Sequence, residues 1–366
     1  MTSRFDAPFV RWATDRPPAR FDLAGSSILA CTLDDLPGAR DVIELTGGTE
    51  SGYAPLVDAI GARYGVPADH VTTAQGASGA TFLVCAALLD AGDEVLVERP
   101  GYDALLGAPQ IVGARTTRFD RDFAAGFALD PERVRQAMTP RTRLIVITSP
   151  HNPTGVLSGA EALDEVGRIA AANGAYVLVD EVYLDIAAAE RRDVPVVETA
   201  AHRGDVFISI SSLNKSYGLS GLRCGWVLSS LALARRLHRV RDIIVGSPPI
   251  VGDRLGALAF SQIDRLIARS QALIHENGAI VREFLRSSPE VEWIEPGGGT
   301  VVFPRIARVT DSSHFAERLL TLRDTAIVPG HFFEAPAHFR LGFGGSSTAL
   351  RSGLEALRAA LEARDW

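Results

Sequence analysis

The chain has 366 residues, enough for one large α/β domain and a smaller second one. Hydrophobic residues make up 46% and charged residues 22%, as in ordinary globular proteins, and the formal net charge of −7 argues against nucleic acid or an anionic membrane as partner. No apolar run approaches the roughly 20 residues that span a bilayer, the charged, proline-bearing N-terminus does not read as a secretory leader, and Cys31, Cys85 and Cys224 lack metal-ligand or disulfide-framework spacing; the expectation is a cytoplasmic globular enzyme without metal.

From about residue 71 to 250, short apolar runs alternate with helical patterns. The runs EVLVE (94–98), RLIVIT (143–148), YVLVD (176–180) and VFISI (206–210) suit strands buried on both faces of a mostly parallel sheet. Between them, residues 158–173 carry Leu163, Val166, Ile169 and Ala170 on one helical face, with Ser158 and Glu161 in capping-box spacing and Gly174 as a C-cap. A doubly wound α/β core is expected over residues 40–250. Past Pro249 the pattern changes to a long helical stretch (254–286), two short strands (291–294, 300–304), a helix (313–322), a strand (339–343) and a last helix (347–363). Together with residues 1–39, these are expected to form a smaller α+β domain.

In open α/β sheets, ligands bind beyond the carboxyl ends of the strands, and each run above leads into a polar or glycine-rich segment there. After VFISI comes SSLNKSYGLSGLRCGW. Lys215 sits there among small and apolar residues, where desolvation lowers an amine's pKa, as a lysine that forms a Schiff base requires. Arg223 can grip a phosphate as a bidentate fork, and Ser212 offers it a hydroxyl. Asp180 ends YVLVD; it can pair with a protonated pyridine nitrogen or simply cap the next segment. Tyr183, just after it, can donate to a phenolic oxygen. Asn152 in SPHNPTG can donate to the same oxygen from a turn stiffened by Pro150 and Pro153, while His151 reads as scaffold. Gly76-Ala77-Ser78-Gly79 opens an apolar helix, so its backbone N–H groups and the Ser78 hydroxyl suit a phosphate, although the glycines match neither a dinucleotide fingerprint nor a Walker loop. Tyr102 can stack on a cofactor ring or belong to the core.

These segments resemble the class I/II aminotransferases of the aspartate-aminotransferase fold type. The matching motifs are TESGYAPLVDAI, QGASGAT, SPHNPTG, YVLVDEVYLD, SLNKSYGLSGLRCGW and FRLGF, in the family's order from about residue 45 to 345. The resemblance implies pyridoxal 5′-phosphate as cofactor, on Lys215 as a Schiff base, with Lys215 then moving the proton between the substrate Cα and the cofactor. It implies Asp180 at the pyridine nitrogen, Asn152 and Tyr183 at the phenolic oxygen, and Tyr102 on the ring. Ala77 through its backbone N–H, Ser78, Ser212 and Arg223 would hold the phosphate. Tyr53 would reach the phosphate of a partner subunit, which implies a homodimer with shared sites. Arg340 would clamp the α-carboxylate, with Asn152 beside the substrate and Gly25 in the segment that covers it. Asn214 departs from the small or hydroxyl residue usual before the lysine.

The implied activity is transfer of an amino group from an α-amino acid to a 2-oxo acid. A same-fold enzyme of elimination, cyclisation or oxidation shares every cofactor contact. A non-catalytic regulatory module is disfavoured by the presence of Lys215, and a nucleotide-dependent oxidoreductase by the missing fingerprint.

Overall fold

The computed structural model describes residues 5–47, 52–189 and 198–364. Helix α1 (Pro8–Asp15) and strand β1 (Phe21–Asp22) come first, and α2 (Ala54–Tyr64) leads to the central sheet. There β2 (Val71–Gln75) runs without a loop into α3 (Gly76–Leu88). Next come β3 (Glu94–Arg99), α4 (Asp103–Ile111), β4 (Arg115–Asp120), α5 (Pro131–Ala137) and β5 (Thr142–Thr148). Then α6 (Ala160–Ala172), β6 (Tyr176–Asp180), α7 (Leu184–Ala189), β7 (Phe207–Ser212) and β8 (Cys224–Leu228) complete the unit.

The seven strands lie in the order β2-β8-β7-β6-β5-β3-β4. Every pair is parallel except the two that β8 makes, so the expected α/β fold with a mostly parallel sheet is present. The reason the core strands read as unbroken apolar runs is visible in β5. Leu144 and Val146 join Val95, Leu178 and Ile208 beneath α3, while Ile145 and Ile147 join Leu96, Val177 and Phe207 beneath α6. Both faces are covered, so neither tolerates polar residues.

The remainder comprises α8 (Leu231–Val245), α9 (Ile250–Ser261), α10 (Ile263–Arg286), β9 (Val291–Glu292), β10 (Val301–Val302) and β11 (Arg305–Ile306). It ends with α11 (Ser313–Arg323), β12 (Thr325–Ala326), β13 (Val328–Pro329), β14 (Phe339–Gly342) and α12 (Ser347–Ala363). β14 is the middle of an antiparallel trio with β10 and β13, and β1 pairs in parallel with β12.

Three expectations need correction. The helical stretch 254–286 is two helices, because Gln262 leaves helical geometry (φ −121°, ψ 19°). Of the strand expected at 300–304 only Val301–Val302 forms, as β10 on β14, and a separate β11, on β9, begins at Arg305. Ser158 is not the cap of α6: Gly159 holds that position, and the Ser158 hydroxyl is buried without a hydrogen-bond partner. At the other end Gly174 takes the left-handed conformation (φ +66°) just past the helix, as expected. All three cysteines are free thiols. Among the described residues, no helix is long and apolar enough to cross a membrane and no cluster of metal-ligating side chains occurs.

Candidate active site

The carboxyl ends of β2, β3, β5, β6 and β7 converge on one cavity of about 240 Å³. Because β8 runs the other way, its leading residue Arg223 arrives at the same edge. Ala77, Ser78, Tyr102, Asn152, Asp180, Tyr183, Ser212, Lys215, Arg223 and Arg340 all line it. Residues named from separate motifs thus share one wall.

Lys215 follows β7 in a turn closed by bonds from Leu213 N to Cys224 O (3.0 Å) and from Gly218 N to Asn214 O (3.1 Å). Its stem is enclosed while the Nζ faces the cavity, donating to Ser26 Oγ at 3.0 Å and Ser27 Oγ at 3.3 Å. Burial, with Arg340 and Arg223 adding positive charge, brings the amine down to about 8, against the pull of Asp180. A substantial fraction is therefore neutral near physiological pH.

Asp180 is 2% exposed at the end of β6. Its Oδ1 accepts from Val182 N at 3.2 Å and its Oδ2 from the Tyr102 hydroxyl at 2.8 Å. Burial outweighs these bonds and raises its pKa. A buried carboxylate that faces the cavity and is hydrogen-bonded directly only by the neutral Tyr102 hydroxyl and Val182 N–H suits a cation in contact with it, which a protonated pyridine provides. The wall also holds an orphan: Asn214 Oδ1 is buried with no hydrogen-bond partner.

At the other end, α3 starts with its first-turn N–H groups uncapped by any side chain. Ser78 is exposed there and Ser212 buried. Arg223, held in the left-handed region (φ +49°), reaches Gln75 O and Ser220 O through long bonds of 3.4 and 3.3 Å. Its guanidinium lies so close to the chain that a Cβ on Gly76 (φ +72°) would sit 2.5 Å from Nη2. A Cβ on Gly225 would in turn sit 2.5 Å from the Gly76 carbonyl carbon. Uncapped amides, two hydroxyls and a fork-shaped cation in a glycine-lined cradle fit a phosphate. With Lys215 and Asp180, the donor set fits pyridoxal phosphate.

Arg340 is 1% exposed on β14. Nη2 donates to Ala24 O at 2.9 Å and Nη1 to Asn152 Oδ1 at 3.1 Å, leaving the Asn152 N–H groups as donors; the Arg340 Nε has no partner. The guanidinium carbon lies 4.9 Å from the centroid of the Phe9 ring and 5.0 Å from that of Phe333. Burial pushes its pKa down to about 10. Such a desolvated, incompletely paired cation suits a carboxylate.

Other expectations land differently. The Tyr183 hydroxyl donates to Ser26 O at 2.7 Å, not into open cavity. Gly25 is exposed and off the wall; its neighbours Ala24, which takes the Arg340 bond, and Ser26, which takes the Lys215 bond, make the contacts instead. Tyr53 is at the N-cap of α2, beneath the Arg254 guanidinium (5.6 Å) and away from this cavity. Thr49, Glu50 and Ser51 of the same motif lie outside the described residues. His151 is scaffold: Nδ1 contacts Thr154 Oγ1 (2.8 Å), Nε2 contacts Pro100 O (2.9 Å), and burial holds its pKa well below the usual range.

Phe9, Val10, Ser26, Ala104 and Thr148 also line the cavity and were not found from sequence. The one available signal was Pro8 ahead of the apolar pair Phe9-Val10, a helix-start pattern.

Residues 46–357 match the family model described as aminotransferase class I and II. Capreomycidine synthase of Streptomyces vinaceus is 31% identical over 96% of this chain and 92% of its own length. A PLP-dependent aminotransferase from Streptococcus suis superposes with a TM-score of 0.90 at 29% identity, covering 99% of both chains. A PLP-dependent cyclase, OrfR, superposes with a TM-score of 0.86 at 27% identity, covering 100% of this chain and 99% of its own. Match, fold and cavity agree: the chain belongs to the class I and II aminotransferases, a family that works with pyridoxal phosphate.

Proposed function

We propose that this chain transfers the amino group of an α-amino acid to a 2-oxo acid, with Lys215 both anchoring pyridoxal phosphate and serving as the base at the substrate Cα. The observation that carries this reading is the pairing, in one cavity wall, of a partly neutral amine with the buried guanidinium of Arg340. An amino acid held by its carboxylate at Arg340 then offers its α-proton to Lys215.

When bound, the cofactor supplies an electron sink for the pair of electrons left at Cα. Asp180 would hold a proton on the pyridine nitrogen. Asn152 would donate to the phenolic oxygen, and Tyr183 would do so by giving up the Ser26 carbonyl. The first turn of α3 through the Ala77 N–H, with Ser78, Ser212 and Arg223, would carry the phosphate, and Tyr102 would lie on the ring face. Residues 40–250 would then be the cofactor domain, with 1–39 and 251–366 as the smaller one; the pairing of β1 with β12 supports that grouping. Tyr53, off its own cavity, would serve the site of a second copy. Exposed apolar side chains such as Leu45 and Ile243, 84% and 85% accessible, support a homodimer.

A second reading, cyclisation of an amino acid, has one observation in its favour. Capreomycidine synthase is 31% identical over 96% of this chain, and the cyclase superposes on all of it. Incubating the protein with pyridoxal phosphate and a panel of amino acids separates the two. Pyridoxamine phosphate plus oxo acid is the expected result; a cyclised amino acid without oxo acid supports the second reading. In either case Lys215→Ala should abolish the yellow colour of the bound cofactor, and retention of that colour rejects Lys215 as anchor.

A further inference from the structure

The Lys215 amine does not end in open space. Its two acceptors, Ser26 Oγ at 3.0 Å and Ser27 Oγ at 3.3 Å, come from the other end of the chain, 189 and 188 residues away. The segment that carries them is fastened from several sides. Tyr183 and Thr300 both donate their hydroxyls to the Ser26 carbonyl, at 2.7 and 2.9 Å. Ile28 N donates to the Lys215 carbonyl at 3.1 Å and Leu29 N to the Gly344 carbonyl at 2.7 Å. Glycine is required opposite it: a Cβ on Gly342 would collide with the Gly25 carbonyl oxygen, and one on Gly344 with that of Ser27. The segment that presents the Ser26 hydroxyl is therefore held by contacts from Thr300, Tyr183 and the backbone that do not depend on the lysine side chain.

We propose that Ser26, backed by Ser27, is the docking point of the Lys215 amine, holding the Nζ at the cavity wall whenever that nitrogen is not bonded to cofactor. The hydroxyl accepts an N–H and takes no proton; the nitrogen keeps its hydrogens until substrate or water exchanges them. This rests on Lys215 being the anchor.

A consequence follows for the amine's acidity. The charged groups that face it are Asp180 from β6, which favours the ammonium, and Arg340 from β14 and Arg223 before β8, which oppose it along with burial. The Tyr183 hydroxyl faces the same place but is engaged by the Ser26 carbonyl. A hydroxyl that accepts from the ammonium stabilises the charged form, so its removal should lower the pKa further.

The test uses the cofactor-free protein. Competitive labelling with acetic anhydride across pH, with acetylation of Lys215 read by mass spectrometry, gives the amine's titration directly. In the wild type the midpoint should fall near 8. In a Ser26→Ala/Ser27→Ala double variant it should drop by about half to one pH unit, with Ser26→Thr close to wild type. The cofactor-loaded variant should show the same downward shift in the pH profile of Cα hydrogen exchange in heavy water. An unchanged labelling midpoint in the double variant overturns the inference; if that variant does not fold, Ser26→Ala alone decides in the same way. Failure here is distinct from failure of the underlying assignment, because the latter shows as cofactor colour in Lys215→Ala, whatever the serines do.

Discussion

A lysine beside a buried carboxylate would ordinarily be fully charged at neutral pH, yet burial, Arg340 and Arg223 outweigh Asp180 and bring Lys215 from 10.5 to about 8. The direction has a checkable consequence for capture of the cofactor's aldehyde, which needs the neutral amine. The rate of colour formation by the cofactor-free protein should rise with pH around a midpoint near 8 and level off above it; a midpoint near the ordinary lysine value of 10.5 contradicts the burial argument. The same displacement links to stability. Between about 8 and 10.5 the unfolded chain binds more protons at this residue than the folded one, so Lys215's contribution to stability grows with rising pH across that window. At this scale most of the wall was legible, because Lys215, Asp180, Asn152 and Arg223 each follow or precede a recognisable buried strand. Ser26 was not. Its role depends on a contact across 189 residues, and nothing in the string FDLAGSS marks a hydroxyl that will meet an amine.

Among the elements that the sequence pattern did not reveal is α1, and the reason is physical. At eight residues it is too short to be stable alone, and its N-cap, Ala7, supplies no side-chain bond. Its cap comes from elsewhere: Asp103 Oδ2, at the start of α4, accepts from Phe9 N at 2.7 Å and Val10 N at 3.3 Å. Asp103 directly follows Tyr102, so one short segment both lines the cavity and holds the helix that closes it. A carboxylate in this position at a helix N-terminus is worth about 1 to 2 kcal/mol. Asp103→Ala should therefore speed amide exchange at Phe9 and Val10 on the order of tenfold, with the exchange of β5 and β6 untouched. Because Phe9 lies over the Arg340 guanidinium, the KM for the amino acid should rise more than kcat falls. Unaltered exchange at those two amides means that α1 is held by its aromatic contacts with Phe332 and Phe333 instead. The misassigned cap of α6 teaches the converse. Ser158 and Glu161 have the right spacing, but the chain enters the helix one residue later, and spacing alone does not set that entry.

For the whole molecule, the mostly parallel sheet was legible because strands covered on both faces have no choice but to be apolar throughout. The lateral order of the strands and the reversal of β8 were not, since periodicity along one strand carries no information about its neighbour. Assembly is a further step removed, and Tyr53 makes it testable. If Tyr53 completes the phosphate site of a second copy while Lys215 serves its own, the two residues of any one site belong to different chains. Lys215→Ala and Tyr53→Ala homodimers should then both be impaired, the first totally and the second through loss of one phosphate contact. Mixing them under conditions that allow subunit exchange produces hybrid dimers in which one site keeps both residues and the other keeps neither. At equal amounts, half of the dimers are hybrids with one intact site of two, so these contribute about a quarter of the wild-type activity, on top of what the remaining Tyr53→Ala dimers retain. Were both residues to act within one chain, no hybrid would contain an intact site and mixing would restore nothing. Gel filtration of the unmixed variants guards the interpretation, since each must remain a dimer for the exchange to be meaningful. Recovery on mixing, absent before it, would require that the cavity be built by two copies.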